Sequence, residues 1–148
     1  MLKLNVNNET SRLLAVVLGT AERNGPAPIL EECYDPKSRE NVLKGTYPTE
    51  EDMIKELDEF ENVLLKYDVK VYRPDVINHY NQIFSRDVGF VINDCFIISN
   101  ILPERSKEIL AIDKVIELIS KNKIIELPKD CHIEGGDVIL YNDYIFIG

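Results

Sequence analysis

Cys131-His132-Ile133-Glu134-Gly135-Gly136-Asp137-Val138 is the stretch on which the reading of this chain turns. Two adjacent glycines between two carboxylates suit neither a helix nor a strand interior, because glycine gives up the most backbone freedom on folding. They lead into an apolar run, residues 138–147, that reads as a β-hairpin turning at Asn142-Asp143. Glycine in such a place signals a backbone conformation closed to other residues, or a close approach by another group. Glu134 is thereby presented at the mouth of a strand. By itself the motif is equally compatible with a bulge carrying a solvated acid.

The hairpin has a counterpart upstream. Residues 88–92 and 95–99 flank Asn93-Asp94, 49 positions before Asn142-Asp143, and Asn and Asp both tolerate the positive φ of a tight turn. A helix is expected from Pro103-Glu104, with Ile109, Ile112, Val115, Ile116 and Ile119 as its apolar stripe and Lys121 and Lys123 towards its negative end. Residues 123–127 then read as a closing strand stopped by Pro128. Such self-similarity marks stacked units of strand, strand, helix and strand that bury their apolar faces on one another. By this register Gly148 matches Ser99, so a third unit begins at residue 133 and its helix is not among the 148 residues.

The first unit spans residues 13–73. Residues 13–18 form a continuous apolar run, expected as a strand buried on both faces and ended by Gly19. Residues 20–48 hold four of the seven prolines and read as an irregular flap over a site. Thr49 is an expected N-cap, followed by three acids in the first turn and a stripe of Met53, Leu57, Phe60, Leu64 and Tyr67. A strand at 69–72 follows, stopped by Pro74. Residues 1–10 are polar overall and read as a loosely held start.

The composition, 45% apolar and 29% charged, allows a packed core of ordinary single-domain size. A formal net charge of -9 argues against nucleic acid or an anionic membrane as partner. Three cysteines without a CxxC pair, and two histidines without ligand spacing, argue against zinc; no cofactor is expected. From the odd, scattered thiols and the lack of a signal pattern, a cytoplasmic protein is expected.

In stacked units, equivalent positions face a common axis, so Asp87, before the second hairpin, and Glu134, before the third, are expected to converge. Two close carboxylates repel unless a cation lies between them. A guanidinium suits best, since its fork of donors matches carboxylates bidentately. An ammonium would also serve, and so would the chain's own Arg86, which would make the pair purely structural.

Phe84-Ser85-Arg86-Asp87 before one strand and Ile133-Glu134-Gly135-Gly136-Asp137-Val138 before another resemble the amidinotransferase and arginine deiminase superfamily. The resemblance runs over residues 13–148. It implies an α/β fold, a partial pentein α/β-propeller of about two and a half ββαβ modules (13–73, 81–127 and an incomplete third from 133). It also implies a guanidino-group-modifying enzyme acting on an arginine-like substrate through a covalent cysteine intermediate, with amidino transfer preferred to hydrolysis. Position by position, Asp87 matches the aspartate that clamps the guanidinium, and Glu134 the acid that orients the catalytic histidine and contacts substrate. Phe84 matches a pocket-lining position, and Asn81 one that contacts the substrate's amino-acid end. The family's catalytic histidine and cysteine fall in segments that these residues do not contain. Cys131 and His132 are poor substitutes, being adjacent and so directed to opposite faces of a strand; Cys33, Cys95 and His79 read as structural or incidental. The chain alone is therefore expected to be inactive. A homo-oligomer or a complementary C-terminal chain is expected to complete it. The alternatives are a non-catalytic pentein-fold binding module and a bare oligomerisation domain.

Overall fold

A computed structural model describes residues 1–33 and 35–148. Strand β1 (Ala15–Val17) pairs in parallel with β2 (Lys70–Tyr72), and the crossover between them carries helices α1 (Pro36–Lys44) and α2 (Glu50–Lys66). After the short helix α3 (Ser85–Val88), β3 (Gly89–Ile92) and β4 (Cys95–Ile98) form an antiparallel hairpin. Helices α4 (Lys107–Leu110) and α5 (Asp113–Ile116) then return the chain to β5 (Ile124–Glu126), which pairs in parallel with β4. A second hairpin, β6 (Val138–Tyr141) and β7 (Tyr144–Ile147), ends the chain.

The 49-residue register is visible in the backbone. Asn93 and Asn142 both take left-handed conformations (φ 53° and 52°) at the two hairpin turns. At the open ends, the amide of Ser99 donates to the Val88 carbonyl (3.2 Å) and that of Gly148 to the Asp137 carbonyl (3.0 Å), the same bond shifted by 49 positions. The first unit departs from this pattern, offering a single strand before its helices.

Thr49 caps α2 through the amide of Asp52 (3.2 Å), as the acidic first turn predicts. Its stripe is narrower than expected: Met53 and Leu64 are buried and Leu57 packs on the cluster of Leu64, Leu18 and Val69, whereas Phe60 and Tyr67 are exposed. Residues 13–18 are not buried on both faces: Leu13 and Leu14 are exposed, Ala15–Val17 are half-buried and Leu18 is buried. Within the expected flap lies α1, capped by Asp35 on the amide of Ser38 (2.8 Å), opened by Pro36 and closed by Gly45 at φ 65°. These are ordinary start and stop signals; α1 buries no side chain, so no apolar period announces it. Tyr34, in the same segment, lies outside the described residues.

The helix expected from residue 103 is broken into a 3-10 turn (Pro103–Arg105), α4 and α5. At the break, the Ala111 carbonyl accepts from the amide of Asp75 (2.7 Å) instead of continuing a helical ladder. The stripe still serves its purpose: Ile112, Val115 and Ile119 are buried. Val88 belongs to α3, and the strand starts at Gly89. Residues 1–10 are not loose. Leu2 donates to the Leu118 carbonyl (2.7 Å), Val6 pairs with Asn93, and Leu2 and Leu4 pack on the core, because Leu2, Leu4 and Val6 alternate with polar residues as an edge strand does.

The two hairpins differ in how they are covered. One face of β3–β4 packs Phe96 against Ile112 and Ile119 of the following helical segment. The other packs Phe90 and Ile97 against Val138 and Leu140 of the next hairpin. In β6–β7 the equivalent outer face, Ile139, Tyr141, Tyr144 and Phe146, is bare, each residue being more than half exposed. Ile145 and Ile147, in the places of Phe96 and Ile98, are exposed too. Covering apolar surface is worth roughly 25 cal/mol per Å², and an edge strand offers unpaired backbone groups. At tens of micromolar the chain is therefore expected to sediment as associated species, and the pair Tyr144→Ser and Phe146→Ser to shift it towards monomer. A single sharp wild-type monomer with exchange-protected amides over Tyr144–Ile147 would contradict this.

Candidate functional site

Three elements build the site. The short helix α3 is pinned to the first sheet by the Ser85 hydroxyl, which donates to the Val17 carbonyl (2.7 Å). It is pinned to the third unit by Arg86, whose Nε donates to the Gly135 carbonyl and Nη2 to the Val138 carbonyl, each at 2.8 Å. Arg86 also pairs with Glu9 (3.1 Å). Residues Gly135–Asp137 form a 3-10 turn lying directly on α3. A Cβ on Gly135 would collide with the Arg86 carbonyl oxygen, and one on Gly136 would stand 2.5 Å from Asp87 Oδ1. The paired glycines are thus required by close approach, which puts Glu134 beside Asp87.

The third element is the turn Pro103–Arg105. The Arg105 guanidinium enters between the two acids, Nη1 donating to Asp87 Oδ2 (2.9 Å) and to Glu134 Oε2 (3.3 Å). Its other edge is held bidentately by Glu108, Nε to Oε1 at 2.8 Å and Nη2 to Oε2 at 3.1 Å. Arg105 is 7% exposed and Glu108 3%, while the side chains of Asp87 and Glu134 retain 19% and 30%. The cluster is therefore closed behind Glu108 and open to solvent at Asp87 and Glu134.

One guanidinium stands against three carboxyl groups. Burial works against the charge of Arg105, but its bonds to Glu108 and Asp87 outweigh that and hold its pKa above the ordinary value. Burial pushes the Glu108 carboxyl above its usual range; Arg105 pulls it down by less, and the charges of Asp87 and Glu134 add to the rise.

Asp87 and Glu134 are brought together on one nitrogen, and Arg86 is not the cation between them: it is spent on the glycine turn. Arg105 holds that place, and the sequence reading passed over it and Glu108. A signal existed, because Arg105 and Glu108 continue the stripe of Ile109, Ile112, Val115 and Ile119 at spacings of three and four. Charged residues on a buried stripe are rarely left unpaired. Phe84 lends its carbonyl to Arg105 Nη2 (3.4 Å) while its residue is more than half exposed. The Asn81 side chain accepts from the amide of Ile83 (3.2 Å) and makes no polar contact with Asp87 or Glu134. Cys131 and His132 are exposed outside any named strand, so the alternation argument does not apply to them. Cys33 is buried with its Sγ against the Ile29 carbonyl, and burial first of all raises the Cys95 thiol pKa, opposite to what a nucleophile needs. Among the described residues no group of His, Cys, Asp and Glu is arranged to hold a metal.

Two outcomes are expected for the cluster. Arg105→Met leaves buried carboxylates without a counter-ion and should cost about 3–5 kcal/mol in urea unfolding, whereas Arg105→Met with Glu108→Met should cost clearly less. Glu108 ionises in the unfolded chain near the ordinary glutamate value of about 4.3 and in the folded chain above it. Across that interval the native state holds the extra proton, so this group's stabilising share falls as pH rises. The wild-type stability curve should accordingly lose more than that of Glu108→Gln over the interval, measured by urea midpoints.

No family model and no curated protein sequence matches the chain. Solved structures do. An amidinotransferase of the saxitoxin biosynthetic pathway from Microseira wollei superposes with a TM-score of 0.68 at 19% identity, over 95% of this chain and 53% of its own. The inosamine-phosphate amidinotransferase of Streptomyces griseus gives 0.61 at 18% identity, over 93% and 52%. The dimethylarginine dimethylaminohydrolase of Pseudomonas aeruginosa, solved with citrulline, gives 0.63 at 16% identity, over 92% and 50%. The chain spans about half the length of these proteins, and over that half it has their fold, the one its paired acidic motifs resemble.

Proposed function

We propose that the chain is part of a guanidino-group-modifying enzyme and that Asp87 and Glu134 seat the guanidinium of an arginine-like substrate. One observation carries this: the two carboxylates converge on a single guanidinium nitrogen, Arg105 Nη1, at 2.9 and 3.3 Å, on the solvent side of the cluster. A seat that accepts one guanidinium has the spacing for another. Fixing that cation holds the guanidino carbon for attack. In the proposed reaction a thiolate adds to that carbon and a nitrogen leaves with a proton supplied by an imidazole. For transfer the substrate's alkyl amine leaves, and an incoming amine then takes the amidino group from the thioether as the thiolate departs. For hydrolysis ammonia leaves instead, and water displaces the thiolate from the alkylthiouronium to give a ureido product. Amidino transfer is preferred to hydrolysis on the resemblance of the acidic motifs, with amidinotransferases and dimethylarginine dimethylaminohydrolases alike among the structures of like fold. Phe84 and Asn81 are proposed to border the bound ligand.

None of the three cysteines or two histidines meets the cluster, so thiolate and imidazole are proposed to come from a complementary polypeptide carrying the other half of the fold. The same polypeptide would cover Ile139, Tyr141, Tyr144 and Phe146. The free thiols suit a reducing, cytoplasmic setting. A second reading, a non-catalytic binding module of this fold, is favoured by the resident Arg105 and by the fact that, among the described residues, no thiol hydrogen-bonds to Asp87, Arg105, Glu108 or Glu134.

Calorimetry separates these. Arginine is expected to bind the chain and Asp87→Ala to abolish the heat; arginine heat that survives Asp87→Ala and Glu134→Gln would remove the seat. The chain alone should form neither citrulline nor ornithine from arginine. Product that disappears in Cys131→Ala would assign the nucleophile to this chain after all.

A further inference from the structure

We infer that Arg105 is a resident occupant of the Asp87–Glu134 seat, and that a guanidino ligand binds by displacing its Nη1 while Glu108 keeps hold of the rest of the side chain. The inference rests on the reading of Asp87 and Glu134 as a guanidinium seat. The guanidinium is divided between two sets of partners. Its Nε and Nη2 edge belongs to Glu108, at 2.8 and 3.1 Å, and Glu108 is 3% exposed. Nη1 alone belongs to Asp87 and Glu134, whose side chains face solvent. An incoming cation meets Asp87 and Glu134 first and competes for one nitrogen only. Because the guanidinium is planar and rigid, Nη1 leaves the seat as the Arg105–Glu108 pair shifts together, so the move exposes no unpaired charge at the closed end of the cluster.

The charge balance favours this exchange. Three carboxyl groups share one guanidinium, so a second cation relieves repulsion that Arg105 by itself leaves uncompensated. The cost is competition: the apparent dissociation constant is the intrinsic one divided by the fraction of chains whose seat is vacant. Arg105 thereby sets how weakly the free chain binds its ligand, and it keeps the two acids at guanidinium spacing when no ligand is present.

The test compares the wild-type chain with Arg105→Met/Glu108→Met, in which a buried ion pair becomes an apolar pair, a change that folds tolerate. Arg105→Met alone is carried as a second variant, and circular dichroism and urea unfolding verify each fold. The ligands, titrated calorimetrically, are arginine and agmatine, which share the guanidinium and differ in the carboxylate. Both are expected to bind the double variant at least tenfold more tightly than wild type. Arginine weakening while agmatine is unchanged would make Arg105 the holder of the ligand's carboxylate and overturn the inference. Equal or weaker binding of both ligands by the variant, with wild type binding, would overturn it too and leave the seat standing. Binding by neither chain would remove the seat and the inference together.

Discussion

The structure is organised around one shared hydrogen-bond donor, Arg105 Nη1, between Asp87 and Glu134. The two acids lie on different units, 47 positions apart, and without a cation their charges would hold those units away from each other. Everything adjacent serves that approach. Gly135 lets the turn rest on the Arg86 carbonyl, Gly136 lets it rest on Asp87, and Arg86 ties down both ends of the same turn. Ser85 extends the connection to β1. The glycine pair and the ion cluster are therefore one device: a side chain at either glycine would push Glu134 off Arg105.

Such a cluster is an uneconomical way to stabilise a fold. Buried ion pairs gain little over apolar packing once desolvation is counted, although breaking them is costly. Two of the three acids keep access to solvent, and the charge count is unbalanced towards the negative. Those features suit a place that receives cations better than one built only for stability. The likeness to amidinotransferases and to a dimethylarginine dimethylaminohydrolase establishes the fold.

The repeat explains the exposed hairpin as well. In the second unit, the hairpin is covered by its own helical segment on one face and by the next hairpin on the other. The third hairpin has the same register and the same asparagine turn, with large apolar residues where its counterpart is buried. On its inner face Val138 and Leu140 pack against Phe90 and Ile97, while Ile145 and Ile147 of the last strand are exposed. The outer face leaves Ile139, Tyr141, Tyr144 and Phe146 bare, in the register where the second hairpin packs on the third.

What the sequence by itself determined were features written in local chemistry. The asparagine turns, the Thr49 cap, the crossover strands and the meaning of Gly135-Gly136 follow from φ preference, capping and periodicity, and each is present where those rules put it. The approach of Asp87 to Glu134 was also legible, because each acid lies just ahead of one of two like hairpins. At 47 positions apart they are neighbours of equivalent positions rather than equivalent in the 49-residue register. Helix α1 was hidden because it buries nothing, and the break at Ala111 because its cause, the amide of Asp75, lies 36 residues away. The choice of Arg105 over Arg86 was made by tertiary structure alone. Both arginines lie within reach in sequence terms, and only the folded chain shows that the carbonyls of the glycine turn claim one, leaving the other to fill the space between the carboxylates. Long-range competition for a donor has no local signature, and it is where reading residues in order stops.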